Sequence, residues 1–288
     1  MTTGAILKPI LKYPGAKWRL APWIVSHFPP HEHYLEPYCG SAAVFFAKEK
    51  ARHEVLCDTN GSIINLFQVL RNPDQAHQLA EWVALTPWAE EEYEQYERNY
   101  EAPDPVEHAR RFLIRCWQAH GGTVHQVSGW RHNGLGGHAY PVSLWQKLPA
   151  RLLAVVERLK DAEIRHRPAL EMIAYYHDPS CLIYCDPPYV LETRARKYYQ
   201  QEMTDEEHSQ LLEALEQHPG PVVLSGYAHP LYDARLTHWQ RVTTRAPTEH
   251  GNVRTEVLWM NEKAAQAKQL CLFHSSDREE SFDEHPRA

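Results

Sequence analysis

Leu182-Ile183-Tyr184-Cys185-Asp186-Pro187-Pro188-Tyr189 is the stretch on which the fold reading turns. Four apolar residues run directly into a carboxylate, two prolines and an aromatic ring. A short apolar run closed by turn residues suits a strand buried on both faces. Asp186 then falls at a strand's carboxyl end, the edge where open α/β sheets bind ligands. Pro187 and Pro188 stiffen the backbone and remove two N–H donors, leaving carbonyl oxygens to accept hydrogen bonds. An amino group presented there meets the Asp186 carboxylate and the Pro187 carbonyl. That pair can draw lone-pair density out of conjugation with an aromatic ring, and Tyr189 offers a flat face for stacking. Taken alone, the tetrad serves equally well as a stiff turn, since aspartate and proline are common turn formers.

Similar runs lie at Tyr34–Glu36, Val55–Cys57, Val222–Ser225 and Val257–Met260. Helical patterns separate several of them. Thr204 and Glu207 have capping-box spacing, followed by an apolar stripe of Leu211, Leu212 and Leu215. A second helix is expected over Arg151–Lys160, with Leu152, Val155, Val156 and Leu159 inward. Strands alternating with helices predict an α/β fold with a mostly parallel, doubly wound sheet. Residues 72–148 break that rhythm with acidic helical segments and a Gly-, His- and Trp-rich stretch, His120–His138. The expected division is a sheet-bearing domain over 1–71 and 149–270 and an inserted, mainly helical subdomain over 72–148. The polar tail, 271–288, is expected to be disordered.

Composition narrows the class. Every apolar run is broken well short of the roughly 18 residues a membrane span needs. The first twelve residues lack the pattern of a secretory signal, so a cytoplasmic protein without membrane association is expected. The six cysteines are scattered and several fall in apolar runs, as reduced core thiols do. Cys181 and Cys185 have no second cysteine pair to complete a zinc site, and the 19 histidines include no His-Glu-x-x-His, so no metal is expected. Neither a Gly-x-Ser-x-Gly elbow nor a phosphate-cradling Gly-x4-Gly-Lys-Ser/Thr loop is present, which removes hydrolase and nucleotidase readings. A net charge of −7 excludes a uniformly basic nucleic-acid binder but hides its distribution. Acid gathers between Glu90 and Glu107, whereas Arg110–His138 contains no Asp or Glu.

Two companions change the weight of the Asp186 tetrad. Tyr34-Leu35-Glu36-Pro37-Tyr38-Cys39-Gly40-Ser41-Ala42 is a strand ending in acid, then a small-residue turn that lets a ligand approach the backbone. Asp58 ends the next strand about twenty residues on, where an acid can bind ribose hydroxyls. Near the amino terminus, Lys12-Tyr13-Pro14-Gly15-Ala16-Lys17 is a turn flanked by an aromatic ring and two bases.

In this order the motifs resemble the Dam-type, D12-class family of adenine-specific DNA methyltransferases, phage and prophage members included. The likeness runs from about Leu7 to Asn261, continuing through Glu202-Met203-Thr204, Ser225-Gly226-Tyr227 and Thr255-Glu256-Val257-Leu258-Trp259-Met260-Asn261. The resemblance implies a Rossmann-like S-adenosylmethionine-dependent fold. It also implies transfer of a methyl group to N6 of an adenine that is flipped out of duplex DNA. It places Tyr13, Lys17, Glu36, Pro37, Tyr38, Gly40, Asp58 and Asp186 at the cofactor, Lys17 near its methionine carboxylate and Asp58 at its ribose. Asp186, Pro187, Pro188 and Tyr189 are the catalytic set. The family's Phe-x-Gly-x-Gly turn reads Tyr38-Cys39-Gly40-Ser41-Ala42, with alanine for the last glycine.

The insert falls where the family carries its target-reading region. Gly121–Gly134 reads as a hairpin, with Trp130 beside Arg131 and Asn133; those two residue types bind guanine and adenine bidentately. Arg110, Arg111 and Arg115 stand at helical spacing as phosphate contacts, or as partners for the acidic segment before them. Arg194, Arg196 and Lys197, interleaved with Tyr198 and Tyr199, are candidates for the displaced backbone. A cognate restriction endonuclease acting on the same site and a monomer or weak dimer complete the expectation. The rivals are cytosine N4 or RNA adenine as target, the first opposed by Asp186 where cytosine enzymes usually carry Ser, and a DNA-binding module without catalysis.

Overall fold

The computed structural model describes residues 7–120, 128–132, 141–193, 202–247 and 253–266. Its strands are β1 (His33–Glu36), β2 (His53–Asp58), β3 (Ala162–His166), β4 (Cys181–Cys185), β5 (Val222–Gly226), β6 (Gln240–Pro247) and β7 (Val253–Met260). They form one seven-stranded sheet in the order β3-β2-β1-β4-β5-β7-β6. Pairing is parallel from β3 through β5, and β7 runs antiparallel to both β5 and β6. The expected mostly parallel α/β sheet is therefore present. Strand order reverses between β1 and β4, and at such a switch point the connections leave in opposite directions and open a crevice at the carboxyl edge.

Burial on both faces explains the unbroken apolar runs. Side chains alternate across a strand, and in β4 Leu182 and Tyr184 join one core while Cys181, Ile183 and Cys185 join the other. Leu258 and Met260 of β7 likewise face one core, Val257 and Trp259 the other. The first core is covered by α1 (Ala21–Val25), α2 (Ala43–Ala47), α3 (Gly61–Arg71), α4 (Pro73–Leu85), α5 (Glu90–Tyr96), α6 (Pro105–Gln118), α7 (Pro141–Trp145), α8 (Leu148–Ala154) and α9 (Val156–Lys160). The second lies under α10 (Ala169–Tyr175), α11 (Asp205–Gln217) and α12 (Pro230–Arg235).

Local chemistry sets the helix starts. Asn72 and Asp104 cap α4 and α6 with their side chains, and each is followed by proline at the first helical position. Thr204 and Glu207 form the reciprocal capping box of α11, as their spacing predicts. The single helix expected over Arg151–Lys160 is instead two, α8 and α9, joined at Val155 with φ −94° and ψ −8°. That ψ lies outside the α-helical well, yet Leu152, Val155, Val156 and Leu159 are all buried as expected. Helices of the 72–148 segment, including Leu79, Tyr93, Phe112 and Trp117, share one continuous core with Ile10, Phe45 and Tyr184. Cys39, Cys57, Cys116, Cys181 and Cys185 are buried free thiols, while Cys271 and the tail lie outside the described residues. Among the described residues no helix is long and apolar enough to cross a membrane.

One buried ion cluster ties β2 to both flanks. Glu54 is 1% exposed and accepts from Lys48 Nζ at 2.5 Å, Arg158 Nη2 at 2.7 Å and the Ala51 amide at 3.1 Å. Burial alone would raise the Glu54 carboxyl; hydrogen bonds from Arg158 and Lys48 outweigh it and hold the group below its ordinary range. Removing one member leaves buried charge uncompensated, which costs on the order of 3 kcal/mol or more. Glu54→Leu is therefore expected to lower the thermal midpoint by roughly 10 °C, measured by calorimetry, whereas a change within 2 °C, about 1 kcal/mol or less, would show the cluster to be energetically neutral.

Candidate active site

The carboxyl ends of β1, β2 and β4 open into a cavity of about 390 Å³, within the size range of small-molecule sites. Seven of the residues expected at the cofactor line it: Tyr13, Lys17, Glu36, Tyr38, Gly40, Asp58 and Asp186. Pro188 of the expected catalytic set lines it too, while Pro37, buried just after β1, and Pro187 and Tyr189 are not part of the cavity lining.

The turn after β1 is shaped by backbone conformation. Gly40 has φ +47°, a region that disfavours side chains, and a Cβ there would still stand 3.5 Å from the Tyr13 ring. Conformation rather than space therefore selects glycine. Ala42 also lies in the left-handed region at φ 52°, so the alanine that replaces the family's last glycine is accommodated at a local cost. Asp58 ties the turn to β2: Oδ2 accepts the Gly40 amide at 2.9 Å and Oδ1 the Asn60 amide at 2.9 Å. Asn60 in turn donates to the Tyr13 hydroxyl at 3.3 Å, which joins the amino-terminal loop to the same turn. Burial pushes the Asp58 carboxyl up, with the Asn60, Gly40 and Thr59 amides opposing.

Around Asp186 the groups converge. Oδ2 lies 2.8 Å from Lys17 Nζ, and Oδ1 accepts from Ser225 Oγ at 2.7 Å. Ser225 Oγ is itself 3.1 Å from the Tyr184 hydroxyl. Lys17 also donates to the Gly15 carbonyl at 2.8 Å, lies 3.6 Å from Glu256 Oε1 and stands 4.7 Å from the Tyr189 ring centroid. The Tyr189 hydroxyl donates to Glu256 Oε1, and the Tyr227 ring packs edge-on against Tyr189 with centroids 4.6 Å apart. Ser225 and Tyr227 stand in the Ser-Gly-Tyr motif and Glu256 in the Thr-Glu-Val motif quoted from the sequence, yet neither motif disclosed a role for them. Asn60 carried no signal beyond its place as a helix cap.

Arg110 and Arg115 are engaged within the protein. Arg110 is bonded within the protein to Glu107 at 2.7 and 2.8 Å, Glu92 at 2.8 Å, Thr86 and Tyr96. Arg115 is 3% exposed and donates to the Tyr93 hydroxyl at 3.1 Å. Arg111 bonds Glu107 at 2.7 Å and lies over the Tyr96 ring. Pairing with the acidic segment is the alternative that the fold realises for α6. At the start of the expected hairpin, Ala119 and Trp130 form an antiparallel bridge, and Trp130 Nε1 donates to Gln118 Oε1 at 3.3 Å. Arg131 is half-buried, its amide bonded to the Gln118 carbonyl at 2.7 Å and its carbonyl to Trp88 Nε1 at 3.0 Å. Asn133, Arg194, Arg196 and Lys197, with Tyr198 and Tyr199, lie outside the described residues.

Glu36 gives the site a pH signature. It is 2% exposed and accepts the Tyr34 hydroxyl at 2.7 Å. Burial pushes its carboxyl up to about 8, with Tyr34 opposing and Asp186 adding to the rise. The folded chain thus holds a proton that the unfolded chain, with the ordinary value of 4.5, gives up. This contribution to stability is complete below 4.5 and is lost as pH rises through about 8. In Glu36→Gln the fall of the thermal midpoint between about pH 6 and pH 9 should be smaller than in the unsubstituted chain by several degrees; equal slopes in the two proteins would refute the assignment.

Comparison with known proteins yields one family and a set of relatives. The profile of the D12 class N6 adenine-specific DNA methyltransferases matches residues 13–242. A DNA adenine methylase of Salmonella typhi is 27% identical over 188 residues, 63% of this chain and 65% of that protein. The type II methyltransferase M.CviBI of Paramecium bursaria Chlorella virus NC1A is 25% identical over 189 residues, 64% of this chain and 69% of that protein. A DNA adenine methylase of Haemophilus influenzae is 38% identical over 65 residues, 22% of each chain. The match thus spans just under two thirds of the Salmonella protein's length.

Proposed function

The chain belongs to the D12 class of N6 adenine-specific DNA methyltransferases, and from that premise we propose that it methylates N6 of a flipped-out adenine in duplex DNA, with S-adenosylmethionine as donor. The observation that carries the reading is the carboxylate of Asp186 in the wall of the 390 Å³ cavity, linked through Lys17 to the Tyr189 ring. The cavity fits the donor by the chemistry of its wall. The open turn at Gly40 admits close approach, Asp58 keeps acceptor lone pairs for hydroxyls, Tyr13 offers a ring, and Lys17 supplies a cation for a carboxylate. When bound, S-adenosylmethionine supplies an electrophilic methyl group on a sulfonium.

The chain's own residues do the rest. Asp186 and the Pro187 carbonyl accept hydrogen bonds from the amino group, which concentrates its lone pair on nitrogen. Ser225 holds the Asp186 carboxylate by Oδ1 so that its orientation does not have to be found during transfer. Tyr189 receives the base, which leaves the duplex stack because its amino group is otherwise paired. In-line approach along fixed groups supplies most of the rate. Arg131 and Asn133, with Trp130 beside them, are assigned to target reading, and Arg194, Arg196 and Lys197 to the displaced backbone. The 72–148 segment is assigned as the subdomain that presents the DNA. Two relatives named as type II methyltransferases support extending the proposal to a cognate restriction endonuclease acting on the same site.

Long-read methylation mapping of DNA from cells expressing the chain, in a host without adenine methylation, is expected to show N6-methyladenine at one short motif. Methyl groups on cytosine alone, or none, would sink the reading. Asp186→Ala should lower transfer by about 10²–10³-fold or more while DNA binding in a mobility-shift assay stays within a few-fold. Arg131→Ala should broaden the motif or weaken it at one base by about 1–3 kcal/mol; an unchanged methylation map would strike Arg131 from the readers.

A further inference from the structure

Glu256 stands where a parallel strand could not have put it. Because β7 runs antiparallel to β5, with Val257 opposite Gly226, a residue in the first half of β7 arrives at the carboxyl edge of β4 and β5. Its carboxylate is 4% exposed, accepts the Tyr189 hydroxyl and lies 3.6 Å from Lys17 Nζ. Lys17 is meanwhile 2.8 Å from Asp186 and 4.7 Å from the Tyr189 ring. The ammonium therefore occupies the space between the carboxylate and the ring that an incoming aromatic amine must enter.

We propose that Glu256 is a positioning residue for methyl transfer, tethering the Tyr189 ring by its hydroxyl and providing the second anion to which Lys17 shifts when an amino group takes its place on Asp186. The inference rests on the function assigned above.

Two physical points support it. A buried ammonium that leaves one carboxylate without another anion beside it costs several kcal/mol, and Glu256, 3.6 Å from Lys17 Nζ, is the protein's own anion that keeps Lys17 compensated as it leaves Asp186, next to the donor carboxylate it is assigned to face. A phenol ring that turns about two side-chain bonds gains orientation from a hydrogen bond at its far end, and Tyr227 packs edge-on against its face. Burial raises the Glu256 carboxyl and Lys17 opposes that rise, consistent with the ammonium being its compensating charge.

The test uses the full chain and a duplex oligonucleotide carrying the mapped motif, with single-turnover methyl transfer and duplex Kd measured side by side. Tyr189→Phe, which cuts only the tether, should slow transfer about fivefold, and Glu256→Ala, which removes tether and receiver, about fiftyfold, each with Kd changed less than about threefold. The double variant should be no slower than Glu256→Ala within about twofold, because one hydrogen bond is lost only once. Glu256→Gln keeps an acceptor for the phenol and loses the charge, so it should fall between them. It also decides the matter if Glu256→Ala does not fold. A general structural role would lower the thermal midpoint and DNA affinity together and make the losses multiply, which would overturn the proposal. Wild-type rates in Tyr189→Phe or in Glu256→Gln would overturn the tether or the receiver respectively. If the unsubstituted chain transfers no methyl group to DNA, the assigned function fails and this inference with it; normal transfer with indifferent variants refutes the inference alone.

Discussion

The parallel pairing of β1 with β4, with crossovers leaving in opposite directions, is the constraint on which the site depends. Leu35 opposite Ile183 sets the register, and one residue beyond the pair on β1 is Glu36, as Asp186 follows two residues after Cys185's neighbour Tyr184 on β4. A slip by one would turn every side chain of the strand to the other core. Tyr184 and Leu182 could not then stay with Phe45 and Tyr34, nor Ile183 with Leu211 and Trp259. Two differently filled cores thus lock the register, and the register places the carboxylates at one edge.

Gathering Glu36, Asp186 and Glu256 at that edge is costly, since Asp186 raises the carboxyls of both neighbours. The fold meets the cost in different ways. Glu36 is deeply buried and keeps its proton to high pH, so it adds little charge near neutrality. Glu256 and Asp186 share Lys17. The lysine comes from a loop near the amino terminus that is fastened by Tyr13 through Asn60 to the Gly40 turn. The charge that neutralises the acidic edge is therefore delivered by the same loop that walls the cavity, and the geometry of the two cannot be separated.

What the sequence disclosed follows physical lines. Strands buried on both faces announce themselves as apolar runs, and β1, β2, β4, β5 and the last half of β7 were readable for that reason. The edge strands β3 and β6, Ala-Glu-Ile-Arg-His and Gln-Arg-Val-Thr-Thr-Arg-Ala-Pro, carry charge and hydroxyls because one side of each is unpaired. Lys17, Gly40, Asp58 and Asp186 end elements or sit in turns, so their place in the cavity could be foreseen. Glu256 lies inside a strand whose direction is not written in its residues, and the Ser225 hydroxyl reads as an ordinary strand end. Both depend on pairing between distant segments.

Arg110, Arg115 and Glu107 carry the same lesson to α5 and α6. An arginine-rich helix after an acidic one looks like a phosphate-binding face only if the acidic helix lies elsewhere. Tyr93 and Tyr96 bring α5 against α6, and the hydroxyls of those tyrosines become partners for Arg115 and Arg110. The arginines then join two helices and leave little charge for a polyanion. With a net charge of −7, the molecule's overall field does not attract a polyanion, so the proposed binding of DNA rests on local cations of other segments. The half-buried Arg131 differs from the α6 arginines in what is fixed: its main chain is bonded on both sides, by Gln118 and by Trp88. An anchored backbone under a long cationic side chain suits the base contact proposed for Arg131, because the protein then fixes where the side chain begins.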